Sequence, residues 1–159
     1  MKPHTTIKPR GIVIDDGGRA DAGYTGTAGD CVTRAIAIAL QQDYETTREH
    51  LMSAMGNWIA TSRSRAAKHA RAGGRGRSVR NGVPKQVYQA YLSNVGWNWT
   101  PTMHIGSGCT IHLRGDELPP GRLIARVSRH LVAVVDGMIH DTSDPTRGGT
   151  RCVYGYWTQ

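Results

Sequence analysis

The spacing of apolar residues changes once along this chain, and the change limits the folds that the chain can adopt. Up to Gly96 the apolar residues recur every three or four positions, as on one face of a helix, whereas from Trp97 onward they alternate with polar residues. Helices that precede strands favour an α+β fold in which N-terminal helices pack on a C-terminal antiparallel sheet. The 159 residues suffice for one domain with its own core.

The first predicted helix lies in the segment GDCVTRAIAIAL. Its apolar residues from Val32 to Leu40 fall on one helical face, and Asp30 suits the N-cap position. Cys31 would then be the first helical residue, at the positive end of the helix dipole, where a thiolate is favoured. Cys31 is therefore a candidate nucleophile, although most free cysteines are simply small buried apolar residues.

Two further helices are predicted before the strands. Thr46 and Glu49 have the spacing of a capping box, which predicts a helix starting near Thr46. Pro84 suits the first turn of the next helix, and Gly96 ends it. Six strands follow: Trp97–Thr100, Thr110–Leu113, Arg122–Ser128, His130–Val135, Met138–Thr142 and Cys152–Trp157.

The organisation before the first helix differs from the rest. Residues 1–28 are polar and rich in Gly and Asp, so we expect an irregular N-terminal arm, followed by a single domain over residues 29–159. Within that domain, three glycines interrupt a basic stretch and predict a Gly/Arg-rich loop at residues 62–82.

The positive charge of the chain is concentrated in and beside this loop. The net charge is +8, and between Ser62 and Lys85 there are eight basic residues and no acidic one. Such a segment is often only a solvated loop, but it can also bind phosphates by releasing counterions. The candidate anion-binding residues are Arg71, Arg75, Arg77 and Arg80. The possible partners of residues 62–85 are nucleic acid or an acidic protein.

The cysteine count and the hydropathy bear on the compartment. Three cysteines are too few for a disulfide framework, so we expect free thiols and a cytoplasmic location. The longest apolar run is far shorter than the ~20 residues of a membrane span, and the first residues lack the apolar stretch of a secretory signal. We also expect no metal site, because four possible ligands lack a usual zinc spacing: His104, Cys109, His112 and Cys152.

A predicted hairpin in the second half supplies possible partners for Cys31. The dipeptide Asp136-Gly137 between two apolar runs is typical of a two-residue turn. With these two residues as the loop, the strand register makes His130 and Asp141 diagonal neighbours on one face, ~7–8 Å apart at Cα, within reach of a hydrogen bond.

The register also decides between neighbouring candidates. In the two-residue register, His140 points to the opposite face and is excluded. A three-residue loop would instead bring Asp144 to the face of His130. The sequence leaves open whether Asp141 or Asp144 orients His130.

Three fragments of the chain together resemble the papain-like cysteine peptidase group, in particular its small phage and bacterial members. The fragments are GDCVTRAIAIAL, RLIARVSRHLVAVVDGMIHDTSDP and VYGYW. The resemblance implies a papain-like α+β fold, no cofactor, and a protein or peptide substrate in the cytoplasm, which would be the host's for a phage protein. It also implies that Cys31 is the nucleophile, His130 the general base and then acid, and Asp141 the residue that orients the imidazole.

One feature departs from the papain-like pattern. These peptidases usually carry a Gln before the cysteine as an oxyanion donor, but the preceding residues here are YTGTAGD. Thr25 or Thr27 is the candidate replacement, beside the Cys31 backbone N–H. The sequence thus predicts a thiol hydrolase, with a cysteine peptidase acting on a peptide or isopeptide bond as its main form. The alternative is an inactive papain-like scaffold that binds nucleic acid or an acidic partner through the basic loop.

Overall fold

The computed structural model describes residues 11–26, 28–73 and 78–159, and the backbone of residues 6–8. The helices in this part of the chain are α1 (Cys31–Leu40), α2 (Tyr44–Thr61), α3 (Arg65–Arg71) and α4 (Lys85–Asn94), with a 3₁₀ turn at Val79–Asn81. The strands are β1 (Thr6–Lys8), β2 (Ile12–Ile14), β3 (Asn98–Pro101), β4 (Arg122–Val127), β5 (His130–Val135), β6 (Met138–Asp141) and β7 (Gly155–Thr158). The α+β class predicted from the sequence is confirmed.

The described strands form one sheet in the order β1-β2-β6-β5-β4-β7-β3. Neighbouring strands are antiparallel except β2 and β6, which run parallel. The C-terminal strands β3 to β7 pair antiparallel as predicted, and the added N-terminal strand β2 makes the sheet as a whole mixed. The irregular arm predicted for residues 1–28 is wrong where it contains β1 and β2, because the apolar residues of β2 extend the otherwise free edge of β6.

Both faces of the sheet are covered. On one face the helices bury a core that includes Ile36, Leu51, Leu92 and Trp157. On the other face, the loop around Leu113 and neighbouring segments cover a second apolar cluster. Helix α1 packs directly on β5, so the start of this helix lies beside the strand that carries His130.

Side-chain caps at Asp43 and Ser64 set the starts of two helices. Helix α2 begins at Tyr44, because the Asp43 side chain caps it by accepting a hydrogen bond from the Thr46 N–H at 2.9 Å. The helix thus begins near Thr46 as predicted, but the predicted capping box of Thr46 and Glu49 is wrong, because Asp43 is the cap. The loop predicted at residues 62–82 is also partly helical: Ser64 caps α3, and two alanines of α3 are buried.

Two of the predicted strands, Thr110–Leu113 and Cys152–Trp157, differ from the structure. The segment Thr110–Leu113 forms no strand and is joined to the chain beside it by one isolated bridge, from His112 to Cys152. Regular pairing in the last segment starts only at Gly155. No helix of the described residues is long and apolar enough to cross a bilayer.

Candidate active site

Cys31 is the first residue of α1, as the sequence predicts. Its side chain is partly buried and lines a cleft of about 590 Å³ together with His130, Ala28 and Gly29. The Asp30 side chain makes no capping hydrogen bond to the helix. No side chain among the described residues therefore occupies the first-turn N–H groups, and they are available to an oxyanion at this cleft.

The β5–β6 hairpin has the register that the sequence predicts. Val135 pairs with Met138 across a two-residue turn, in which both Asp136 and Gly137 have positive φ. These angles match the turn type that suits the twist of a two-residue hairpin. His140 faces away from Cys31 and contacts Asp15 through its Nδ1, 2.9 Å from a carboxylate oxygen.

The hairpin joins His130 to Asp141 and not to Asp144. The His130 Nε2 lies 2.5 Å from the Asp141 Oδ2, whereas Asp144 accepts hydrogen bonds from the backbone and hydroxyl of Thr146. The Asp141 carboxylate is buried and also accepts from the Thr142 N–H at 2.7 Å. Because Nε2 faces Asp141, Nδ1 is the ring nitrogen that remains for an interaction with Cys31, which lines the same cleft as His130.

The pKa of Cys31 is lowered and the pKa of His130 is raised. Burial alone would raise the pKa of the Cys31 thiol, but hydrogen bonds from His130 and the Leu131 backbone, with nearby positive charge, lower it overall. Burial alone would lower the pKa of His130, but its hydrogen bonds to Asp141 and Cys31, with the charge of both partners, raise it to about 9. Near neutral pH these shifts favour a thiolate beside an imidazolium.

A buried ionic network behind the site was not anticipated from the sequence. Asp30 is 1% exposed and accepts a hydrogen bond from the Tyr44 hydroxyl at 2.6 Å. It also pairs with Arg34 and, at 3.4 Å, with Arg19. Arg34 in turn lies 3.6 Å from Asp141. The network connects the helix that carries Cys31 to the carboxylate that orients His130.

Replacing Asp30 by alanine is expected to lower the free energy of unfolding by about 3 to 5 kcal/mol, because Arg34 and Arg19 would lose the carboxylate that compensates their burial. Urea unfolding of the variant measures this loss. The matched control is Asp21→Ala, since Asp21 is exposed and should leave stability within about 0.5 kcal/mol of wild type. Equal stability of the two variants would refute a stabilising role for the network.

The structure describes one of the two predicted oxyanion threonines, Thr25. Thr25 is exposed and absent from the lining of the cleft; its backbone oxygen accepts from Arg19. This placement does not support Thr25 as the donor, and the choice between Thr25 and Thr27 stays a prediction. Thr27 lies outside the described residues.

Of the four predicted anion-binding arginines, the structure describes Arg71 and Arg80. Arg71 donates hydrogen bonds to the Ile59 and Ser62 carbonyls at 2.5 and 2.8 Å, which satisfies the end of α2. Arg80 is exposed in the 3₁₀ turn, whose backbone packs near Gly29 at the wall of the cleft. Arg75 and Arg77 lie outside the described residues.

Two of the three cysteines are joined. Cys109 and Cys152 form a disulfide with Cα atoms 5.7 Å apart, which leaves Cys31 as the free cysteine. The expectation that all cysteines are free thiols is therefore wrong. Backbone hydrogen bonds beside His112 hold Cys109 next to Cys152, although the two are distant in sequence. The cytoplasmic location loses this support and stays a prediction. No group of three or more possible metal ligands occurs among the described residues.

No family model, curated protein or solved structure matches this chain.

Proposed function

We propose that this protein is a papain-like thiol hydrolase, and specifically a cysteine peptidase that cleaves a peptide or isopeptide bond through a thioacyl-enzyme. The observation that carries the proposal is that Cys31 and His130 line one cleft at a helix start, with His130 held by a hydrogen bond to the buried Asp141 carboxylate. A free thiol, a histidine with a raised pKa and a buried carboxylate in this order are the parts that nucleophilic acyl transfer requires.

In the first step the Cys31 thiolate attacks the carbonyl carbon of the substrate, and a carbon–sulfur bond forms. The oxygen takes up negative charge and accepts hydrogen bonds from the open N–H groups at the start of α1. The intermediate collapses as the carbon–nitrogen bond breaks, and the His130 imidazolium gives its proton to the departing amine. The products of this step are the free amine and the thioacyl-enzyme.

In the second step a water molecule replaces the amine. Neutral His130 takes a proton from the water while the water oxygen attacks the thioacyl carbon. The carbon–sulfur bond then breaks, which releases the carboxylic acid and restores the thiolate–imidazolium pair. Asp141 keeps the imidazole ring oriented during both transfers, because its carboxylate holds the Nε2 side of the ring.

The pH profile of kcat/KM is expected to be bell-shaped with its alkaline limb near pH 9. The raised pKa of His130 keeps the imidazolium present up to about that pH, and the lowered pKa of Cys31 places the acid limb below the ordinary range of a thiol. Above pH 9 the rate should fall about tenfold per pH unit as His130 loses its proton. A rate that keeps rising through pH 10 would contradict the ion pair.

The test of the function is to trap the thioacyl-enzyme. The protein is incubated with a pool of quenched-fluorescent peptides, stopped with acid, and digested for tandem mass spectrometry. We expect acyl adducts on Cys31 alone. Turnover with no adduct on Cys31, or no turnover of any peptide, would overturn the proposal.

The alternative of an inactive scaffold that binds nucleic acid or an acidic partner through the basic loop stays a prediction. Arg71 donates hydrogen bonds to carbonyls at the end of α2, so it is a weaker candidate for binding an anion. Binding of a labelled oligonucleotide that is lost on neutralising Arg80 would favour this alternative.

A further inference from the structure

The cleft beside Cys31 is rich in basic residues. Four basic residues line it, and no acidic residue does: Arg34, Lys85, Arg126 and Arg129. Arg34 is neutralised by Asp30 behind the site, but the other three have no carboxylate partner within the described residues. Arg126 and Arg129 lie on and just after β4, outside the basic loop, whereas Lys85 is the last residue of the basic segment 62–85.

A second cavity of about 620 Å³ adjoins the first and continues this charge. The two cavities share His130, Arg34 and Arg129 in their lining, and the second adds Arg147 and Arg151. Its lining also contains two carboxylates. Asp141 is engaged by His130, and Asp144 by Thr146. The cavity therefore keeps a surplus of positive charge next to the histidine that protonates the leaving group.

Two arginines of the second cavity are available to a ligand. Arg129 and Arg147 are exposed, and neither forms a salt bridge with any residue that the structure describes. Both have positive φ, at 56° and 51°, a backbone conformation that few non-glycine residues adopt.

Arg151 adds a buried donor without an acceptor. Its two terminal nitrogens donate to the Pro145 and Ser128 carbonyls, at 3.2 and 2.5 Å. Its Nε is buried with no hydrogen-bond partner in the described structure. Burial and the charge of Arg147 lower the pKa of Arg151, and the charge of Asp141 offsets this only in part. An anionic ligand in this cavity would supply the missing charge.

On the basis of the proposed function, we infer that the substrate is an acidic peptide whose leaving-group side carries a carboxylate side chain, bound by Arg129 and Arg147 in the second cavity. His130 borders both cavities and gives its proton to the leaving amine, so the departing segment passes the residues of the second cavity. A guanidinium matches a carboxylate in charge and in bidentate geometry.

The lining favours a peptide over a nucleic acid. Single-stranded nucleic acids are usually bound by aromatic side chains that stack on the bases. Tyr88 is the one aromatic residue among the described lining residues of the two cavities, and it is buried edge-on against Trp157. The sequence also lacks a phosphate-binding glycine motif.

The charge preference is tested with two alkylating reagents that need no known substrate. Iodoacetate is anionic and iodoacetamide neutral, and both react with the Cys31 thiolate. The ratio of their rates therefore cancels the thiolate fraction and reports the local charge. We expect this ratio to exceed that of a free thiol in solution, and to fall about two- to fivefold in Arg129→Gln and in Arg147→Gln. Arg63→Gln is the matched control, because Arg63 is exposed and lines neither cavity.

The class of anion is tested by protection of Cys31 against iodoacetamide. A glutamate-containing hexapeptide should protect, and its glutamine analogue should protect less. Protection by a phosphoserine peptide alone, or stronger protection by a thymidine oligonucleotide, would overturn the acidic-peptide assignment. So would a rate ratio equal to that of a free thiol. If Cys31 reacts with neither reagent, the thiolate itself is refuted, and the proposed function falls together with this inference.

Discussion

Replacing Cys31 by alanine is expected to abolish peptide hydrolysis, with a loss of about 10⁴-fold or more in kcat. In the proposed mechanism the thiolate forms the covalent bond on which both steps depend, and no second free cysteine can replace it. The measurement is the steady-state cleavage of a peptide selected from the quenched-fluorescent pool. Circular dichroism should show an unchanged fold, since Cys31 is only partly buried.

The matched control for this variant is the double substitution Cys109→Ala with Cys152→Ala. It removes the disulfide and leaves the free cysteine in place. We expect this control to keep its turnover while losing some stability. Equal turnover of Cys31→Ala and wild type would refute Cys31 as the nucleophile. Loss of turnover in the double variant alone would point to Cys109 or Cys152 instead.

Replacing His130 by asparagine is expected to reduce kcat by about 10³- to 10⁴-fold. The variant loses the proton donor for the leaving amine. It also loses the positive charge and the hydrogen bond that lower the pKa of Cys31. The same peptide assay measures the loss, between pH 6 and pH 10.

His140→Asn is the control for the His130 variant. His140 lies on the next strand of the same hairpin but faces Asp15 on the other side. A change there tests the effect of altering the hairpin without touching the site, and we expect turnover within about threefold of wild type. Equal losses in the two variants would mean that His130 acts through the stability of the hairpin.

The hairpin shows why part of the site could be predicted from the sequence. A two-residue turn at Asp136-Gly137 fixes the register of both strands, and side chains alternate strictly between faces. These two local rules suffice to place His130 next to Asp141 and to turn His140 away. The start of α1 at Cys31 was predictable for the same reason, because helical periodicity is a local signal.

Other features depend on contacts between segments that are distant in sequence, and local sequence patterns do not predict such contacts. β2 adds to β6 across more than 120 residues of chain, and its three residues gave no period long enough to recognise. Asp30 looks like a helix cap in the sequence, yet the structure uses its carboxylate for Arg34 and Tyr44. The signal that could have suggested this is the i,i+4 spacing of Asp30 and Arg34.

The disulfide illustrates the limit of counting cysteines. An odd number of cysteines argues against a framework of several bridges, but it does not exclude a single bridge with one free thiol. Here the bridge joins the loop before His112 to the segment before β7, and the cysteine left over is the one in the cleft. The leftover free thiol is consistent with a reactive cysteine.

The central claim is that Cys31 and His130 form a thiolate–imidazolium pair. The most direct measurement is the iodoacetamide alkylation rate of Cys31 against pH, mapped by mass spectrometry in wild type and in His130→Asn. The account predicts rapid alkylation of wild-type Cys31 well below pH 8.5, and a shift of its titration to higher pH in the variant. Cys31 that titrates at pH 8.5 or above in both proteins, or that stays unreactive in both, would contradict it.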